Sequence, residues 1–196
     1  MDAALRTLLD GLYADGTLHD EAQPDRLRRR RNLEPGSAEL LTLVLRVAGA
    51  RDVVEIGTSN GYSAIWLADA VRDTGGTGGS VLTVDVEEWP DAAGNLASAG
   101  VEAVVERRMG DGGEVLAGLP DASVDLLFLD AERVEYPNWW PHPVRVLRPG
   151  AVLAVDNVLS HPDEVAPFLT LVNGHGGFES TTATVGKGLY LAWFRP

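Results

Sequence analysis

The chain has 196 residues, 45% of them apolar, which suits one domain with a full hydrophobic core. It contains no cysteine, which excludes a disulfide framework and a thiolate metal site. A formal charge of −13 disfavours broad binding to nucleic acid, because phosphate contacts supply most of that affinity.

No apolar run is long enough to span a bilayer, and the N-terminus lacks the apolar segment of a signal peptide. A cytoplasmic protein without membrane contact is therefore expected. Residues 2–18 carry Leu5, Leu8, Leu9 and Leu12 at helical spacing. A second helix is expected over 25–31, including the run Arg28–Arg31, which either caps a solvated helix end or holds a carboxylate or phosphate near a site. Residues 32–36 read as a turn, and Ser37 as the N-cap of a helix reaching Val47. The stretch VVEIGTSNGYSAIWLA, 53–68, then joins a β-branched strand, a glycine-bearing turn and a helix. Such a turn aims backbone N–H groups at one point. Its spacing is Glu-x-Gly-x-x-x-Gly, not the Gly-x-Gly-x-x-Gly of dinucleotide binders, which argues against an NAD-dependent oxidoreductase. Glu55 inside the apolar strand is costly to bury without a cationic or donor-rich partner.

The glycine-rich stretch 74–80 reads as a loop and 81–86 as a strand carrying Asp85. A short helix over 91–100 and a strand over 103–107 follow. Gly110–Gly113 opens a helix ending near Pro120, and 124–129 is an apolar strand reaching Asp130. The next helix is expected over 137–147, its first turn limited by Pro141 and Pro143, and the strand 151–155 runs into Asp156–Asn157. A helix over 162–173 and a closing hairpin of strands 179–185 and 189–194 complete the chain. Alternation of strand and helix means an α/β fold, a mostly parallel sheet covered on both faces. In such folds ligands bind outside the carboxyl ends of the strands, where Glu55, Asp85, Asp130 and Asp156 gather.

Asp85 can accept both hydroxyls of a ribose. Asp111 can accept from an adenine amino group or cap the helix that follows it. Asp130, Asp156 and Asn157 form an oxygen-only set that suits Mg²⁺, which keeps waters or substrate oxygens in its shell. The four histidines show no ligand spacing, although His161 could line the pocket. A cation there would chelate two adjacent substrate oxygens and lower the pKa of a hydroxyl.

VVEIGTSNGYSAIWLA, VLTVDVEE, MGDGGEVLAGLP, LLFLDAERVEY and LRPGAVLAVDNVL, in this order, resemble the cation-dependent O-methyltransferases, the family of the catechol and caffeoyl-CoA enzymes and their small bacterial relatives. The likeness covers roughly 35–196. It implies a Rossmann-like class I methyltransferase domain over 1–196, with an N-terminal helical segment over 1–34 and a seven-stranded sheet whose last strand is antiparallel. S-adenosylmethionine would be the methyl donor. Glu55, Gly57, Thr58 and Ser63 would then line its methionine part, Asp85 would hold the ribose, Asp111 with Gly112 would flank the adenine, and Glu132 would lie at the donor site. Asp130, Asp156 and Asn157 would be the ligands of Mg²⁺ or another divalent cation.

The reaction implied is deprotonation of one hydroxyl of a catechol-like or other vicinal-diol small molecule, then attack on the sulfonium methyl. Asp130 and Arg133 would be its catalytic residues. Arg133 stands where the family usually has a lysine suspected as general base, and arginine cannot be deprotonated in a protein. Either the cation alone ionises the substrate, or Arg133 stabilises the oxyanion, or activity is altered. Trp139 and Trp140 wall the acceptor side or pack in the core. Two alternatives stay open: a modified tRNA nucleoside as acceptor, and a non-catalytic relative that only binds the donor. Family members often dimerise through their N-terminal helices, so a homodimer is expected.

Overall fold

The computed structural model of the chain describes residues 1–75 and 78–196, so part of the glycine-rich stretch 74–80 lies outside the described residues. Helix α1, Ala3–Ala22, is capped by the Asp2 carboxylate, which accepts from the Leu5 N–H at 2.8 Å. Leu5 and Leu9 are buried on its inner face, so the periodicity that marks the helix also docks it. The helix expected over 25–31 is only a single 3-10 turn, Arg26–Arg28. Consecutive arginines there have no apolar stripe to bury, and their side chains turn to carboxylates elsewhere.

Helix α2, Pro35–Ala48, begins two residues before the expected cap. Proline at its first position presets the backbone, and Ser37, already inside the helix, points its hydroxyl at the Val185 carbonyl. The sheet then alternates with helices: β1 Asp52–Ile56, α3 Tyr62–Gly75, β2 Ser80–Asp85, α4 Ala92–Ser98, β3 Val105–Met109, α5 Gly112–Gly118 and β4 Val124–Leu129. The segment expected as one helix over 137–147 instead holds a 3-10 stretch, Arg133–Trp139, and a short α6, His142–Val146. Pro137, Pro141 and Pro143 lack the N–H groups that a continuous helix needs. Strand β5 Leu147–Val155, helix α7 Pro162–Gly174, and strands β6 Phe178–Ala183 and β7 Leu189–Phe194 follow.

The seven strands lie in the order β3-β2-β1-β4-β5-β7-β6. All pairings from β3 to β5 are parallel, while β7 runs antiparallel to both neighbours and sits between β5 and β6. Helices α1, α2 and α3 cover one face, with Leu41, Leu45, Ile65 and Leu67 fully buried beneath them. The other face packs α7 and the 133–139 stretch, through Tyr136, Trp139 and Phe168. Both faces are covered, which is why β4 reads as an unbroken apolar run from Leu126 to Leu129, after Asp125 near its start. Strand order reverses between β1 and β4, the place where open α/β sheets form a crevice. No helix among the described residues is long and apolar enough to cross a membrane.

Candidate active site

A cleft of about 610 Å³ opens at the carboxyl ends of β1, β2, β4 and β5, within the ~300–1,000 Å³ typical of small-molecule sites. Its floor is the turn after β1. The Gly57 N–H reaches the Val84 carbonyl at 2.8 Å, and the Asp130 N–H reaches Ile56 at 2.9 Å. The turn is thereby stitched to the strands on either side. Gly57 has φ of 118°, and a Cβ there would collide with the Asp130 carbonyl. That close approach joins the glycine turn to the tip of β4, so Gly57, expected at the donor, and Asp130, expected at the metal, share one cleft.

Asp85, the last residue of β2, accepts the Ser59 N–H at 2.9 Å and the Glu87 N–H at 3.1 Å. A carboxylate with that many lone pairs keeps acceptor capacity for a ligand's hydroxyls. A smaller cavity of about 150 Å³ adjoins it, lined by Thr58, Trp89, Arg107 and Met109 among others. Gly57, Thr58, Ser63, Asp85, Asp130, Glu132, Arg133 and Asn157 all line the main cleft.

Glu55 and Asp156 sit one layer behind that wall, both buried. Thr83 donates its hydroxyl to Glu55 Oε2 at 2.6 Å and lies 2.7 Å from the Thr58 hydroxyl, while Glu55 Oε1 has no partner. Burial pushes the Glu55 carboxyl up to about 8, against the pull of the Ser63 and Thr83 hydroxyls. Asp111 and Gly112 line neither cavity. Asp111 caps α5, its carboxylate accepting the Glu114 N–H at 3.0 Å. A Cβ on Gly112 would press into Ile56 and Trp139, so this glycine permits close packing of helix on sheet.

At the tips of β4 and β5, Asn157 takes φ of 65° and its Nδ2 donates to Asp130 Oδ1 at 3.1 Å. Asp156 Oδ1 is buried without a hydrogen bond. Burial, and for Asp156 the repulsion of Asp130, raises both carboxyls well above the usual carboxylate range. Three cations stand nearby, each tied to a different acid: Arg31 to Glu132 at 2.8 Å, Arg133 to Glu164 at 2.8 Å and Lys187 to Glu34 at 3.5 Å. Among the described residues no arginine or lysine reaches ion-pair distance of Asp130 or Asp156.

The described residues contain no group of three or more His, Cys, Asp or Glu placed to hold a metal. The donor set expected for a cation would instead be two carboxylates and one amide, Asp130, Asp156 and Asn157. A half-turn of the Asn157 amide about χ2 exchanges Nδ2 for Oδ1 without changing its shape. An orphaned buried carboxylate oxygen, a second carboxylate repelling it and an amide oxygen fit a hard divalent cation.

The residues 26–31 fold back over the cleft. Asp20 receives the Arg30 and Arg31 N–H groups at 2.7 and 2.8 Å, and Ser59 bonds the Arg30 carbonyl at 2.8 Å. Arg26 and Arg31 both hold Glu132, at 3.0 and 2.8 Å. Trp139 packs on Tyr136 with centroids 5.0 Å apart, and Trp140 on Phe168 and His175, which settles both as packing residues. His161 does line the cleft, its Nδ1 2.8 Å from the Ser160 hydroxyl. Ser59, Tyr62, Trp89 and Lys187 also line it and were not singled out in the sequence. For Trp89 the only available signal is its place four residues after Asp85.

Comparison with known proteins agrees with this geometry. The family model described as O-methyltransferase matches residues 22–167. A probable O-methyltransferase of Mycobacterium tuberculosis is 36% identical over 126 residues, 62% of this chain and 54% of the relative. A relative in Mycolicibacterium smegmatis is 38% identical over 124 residues, covering 62% and 57%. The match thus spans little more than half the length of these curated relatives. Among solved structures, the O-methyltransferase TomG of Streptomyces achromogenes, involved in tomaymycin synthesis and in complex with SAM, is 29% identical. It superposes with a TM-score of 0.76 over 100% of this chain and 91% of its own. The Bacillus cereus O-methyltransferase in complex with SAH has 25% identity and a TM-score of 0.78, over 100% and 92% of the two chains. A strand–glycine-turn–helix floor, an acidic β2 tip and a family model matched across most of the chain lead to one assignment: this chain belongs to the O-methyltransferase family.

Proposed function

We propose that this chain transfers a methyl group from S-adenosylmethionine to one hydroxyl of a small molecule carrying two adjacent oxygens, of the catechol type, with a divalent cation bound at Asp130, Asp156 and Asn157. One observation carries the reading: two neighbouring carboxylates, Asp130 on the wall of the cleft and Asp156 buried behind it with an orphaned oxygen, stand beside the Gly57 turn that floors the same cleft. Glu55, Thr58 and Ser63 would meet the donor's amino-acid end, and the unpartnered Glu55 Oε1 suits an ammonium. Asp85 would accept the ribose hydroxyls, with Trp89 and Met109 walling the smaller cavity beside it. Glu132, held by Arg26 and Arg31, fixes the strap 26–31 over the donor.

Mg²⁺ or a similar ion, when bound, would supply the charge that lowers the pKa of the acceptor hydroxyl. The chain's own part is placement and exclusion of water. Arg133, buried and clamped to Glu164, adds fixed positive charge beside Asp130 and stays protonated throughout. The acceptor loses its proton, its oxygen bonds the methyl carbon, and the carbon–sulfur bond breaks to leave a neutral thioether.

The test is methyl transfer from labelled donor to 3,4-dihydroxybenzoate with Mg²⁺, with chelator, and with Asp156→Asn. We expect turnover that chelator removes, and a Mg²⁺-induced rise in melting temperature that the variant lacks. The variant should melt higher than wild type in chelator near neutral pH, because it removes a buried acid whose ionisation is opposed by burial and by Asp130. Equal turnover with and without chelator would remove the cation from the mechanism.

A further inference from the structure

Of the chain's 16 basic residues only Lys187 is a lysine, and it lines the cleft from the turn between β6 and β7. The turn is built to hold it still. Gly186 and Gly188 have φ of 53° and 93°, and a Cβ on either would run into Glu34 and Ser37, or into Leu159. The Lys187 carbonyl accepts from the N–H groups of Leu159 and Ser160 at 3.0 and 3.2 Å, and Val158 bonds the Gly188 carbonyl at 3.1 Å. The residue is thereby tied to the segment that leaves Asp156–Asn157.

Its ammonium meets Glu34 Oε1 at a loose 3.5 Å, and the other oxygen of Glu34 takes the Tyr13 hydroxyl at 2.6 Å. An ammonium has three donors, so two remain for something in the cleft. Arg133 differs: its Nε and one terminal nitrogen are both taken up by Oε2 of Glu164, each at 2.8 Å. A compact ammonium on a flexible stem adapts to one oxygen, where the planar guanidinium fork suits a two-oxygen acid. In a chain that uses arginine everywhere else, the lone lysine faces the cleft close enough to act on Asp130 and Asp156.

We propose that Lys187 is a catalytic residue that holds the acceptor oxygen, its ammonium donating to the oxyanion while the methyl carbon bonds that oxygen. The assignment rests on the methyl-transfer reading above. The proton of the hydroxyl goes to solvent, the electron pair of the carbon–sulfur bond goes to sulfur, and Lys187 stays an ammonium from start to finish.

Because the lysine is alone, amine acetylation followed by mass spectrometry reports only on Lys187 and the α-amino group. The probe is 4-nitrocatechol, whose absorbance and calorimetry report binding, added to the full chain with Mg²⁺ and S-adenosylhomocysteine. Bound nitrocatechol should slow acetylation of Lys187 severalfold and leave the α-amino group unchanged. Lys187→Met should bind nitrocatechol about 10–100-fold more weakly, the range for a lost hydrogen bond to a charged group. It should keep its melting temperature and its affinity for S-adenosylhomocysteine, and Lys187→Arg should restore part of the loss. Unchanged acetylation with nitrocatechol bound would overturn the assignment. So would Glu34→Gln reproducing the Lys187→Met defect, since Lys187 would then serve only to dock the turn on α2. Binding of S-adenosylhomocysteine without nitrocatechol would bring down the acceptor class together with Lys187. Failure to bind S-adenosylhomocysteine would bring down the donor reading itself.

Discussion

Replacing Glu55 by glutamine isolates the cost of one buried carboxyl. In the folded chain its pKa is pushed from 4.5 to about 8, with burial as the leading cause. The folded state therefore holds one more proton than the unfolded state between those values. Stability is fully present below the unfolded pKa and is lost as pH rises through the folded one. At 1.36 kcal/mol per pH unit, the span from 4.5 to neutrality amounts to roughly 3 kcal/mol of stability lost at pH 7. Glutamine has nearly the same shape, can accept from Thr83, and does not titrate. Urea unfolding of the donor-free protein at pH 5 and pH 8 should show wild type and Glu55→Gln close together at the lower pH. At the higher pH the variant should be the more stable by a few kcal/mol, less whatever its unpartnered amide costs. Subtracting the two curves removes the contributions of Asp130 and Asp156, which both proteins share. Parallel pH dependences would refute the assignment of a neutral, buried Glu55. The same variant should bind S-adenosylhomocysteine more weakly near neutral pH, and calorimetry in buffers of different ionisation enthalpy should lose the proton released when the wild-type carboxyl ionises against the ligand's ammonium.

Gly57→Ala should cost about 3 kcal/mol or more, because the backbone sits where L residues are strained and the new methyl meets the Asp130 carbonyl; a melting temperature within a degree or two of wild type would show that the turn yields. Asp85→Ala should weaken S-adenosylhomocysteine about 10–100-fold by calorimetry, the worth of hydrogen bonds to a charged group. Part of that loss comes from the freed Ser59 and Glu87 N–H groups, and unchanged affinity would contradict the ribose role.

The strand–turn–helix around Gly57, the acids at the tips of β2, β4 and β5, and the closing hairpin were all legible in the residues. Each depends on neighbours close in sequence: a β-branched run, a glycine where the chain must turn, an apolar stripe at one period. The expected helix over 25–31 failed for the same local reason, since arginines in a row favour no face. Ser37 was misread because a serine before an apolar stretch is a common cap, and Pro35 two residues earlier had already set the helix.

What those residues determined by themselves was the alternation of strand and helix, and with it the edge of the sheet on which a site must lie. Only the tertiary structure decided what surrounds that edge. It inserted β7 between β5 and β6, brought Arg26 and Arg31 onto Glu132 across more than a hundred residues, buried Asp156 beside Asp130, and turned the single lysine toward them. Ion pairs and buried repulsions have no period and leave no local signature. They come into being when distant segments meet, and at that meeting an acid in a strand becomes a group with a raised pKa and an unmet bond.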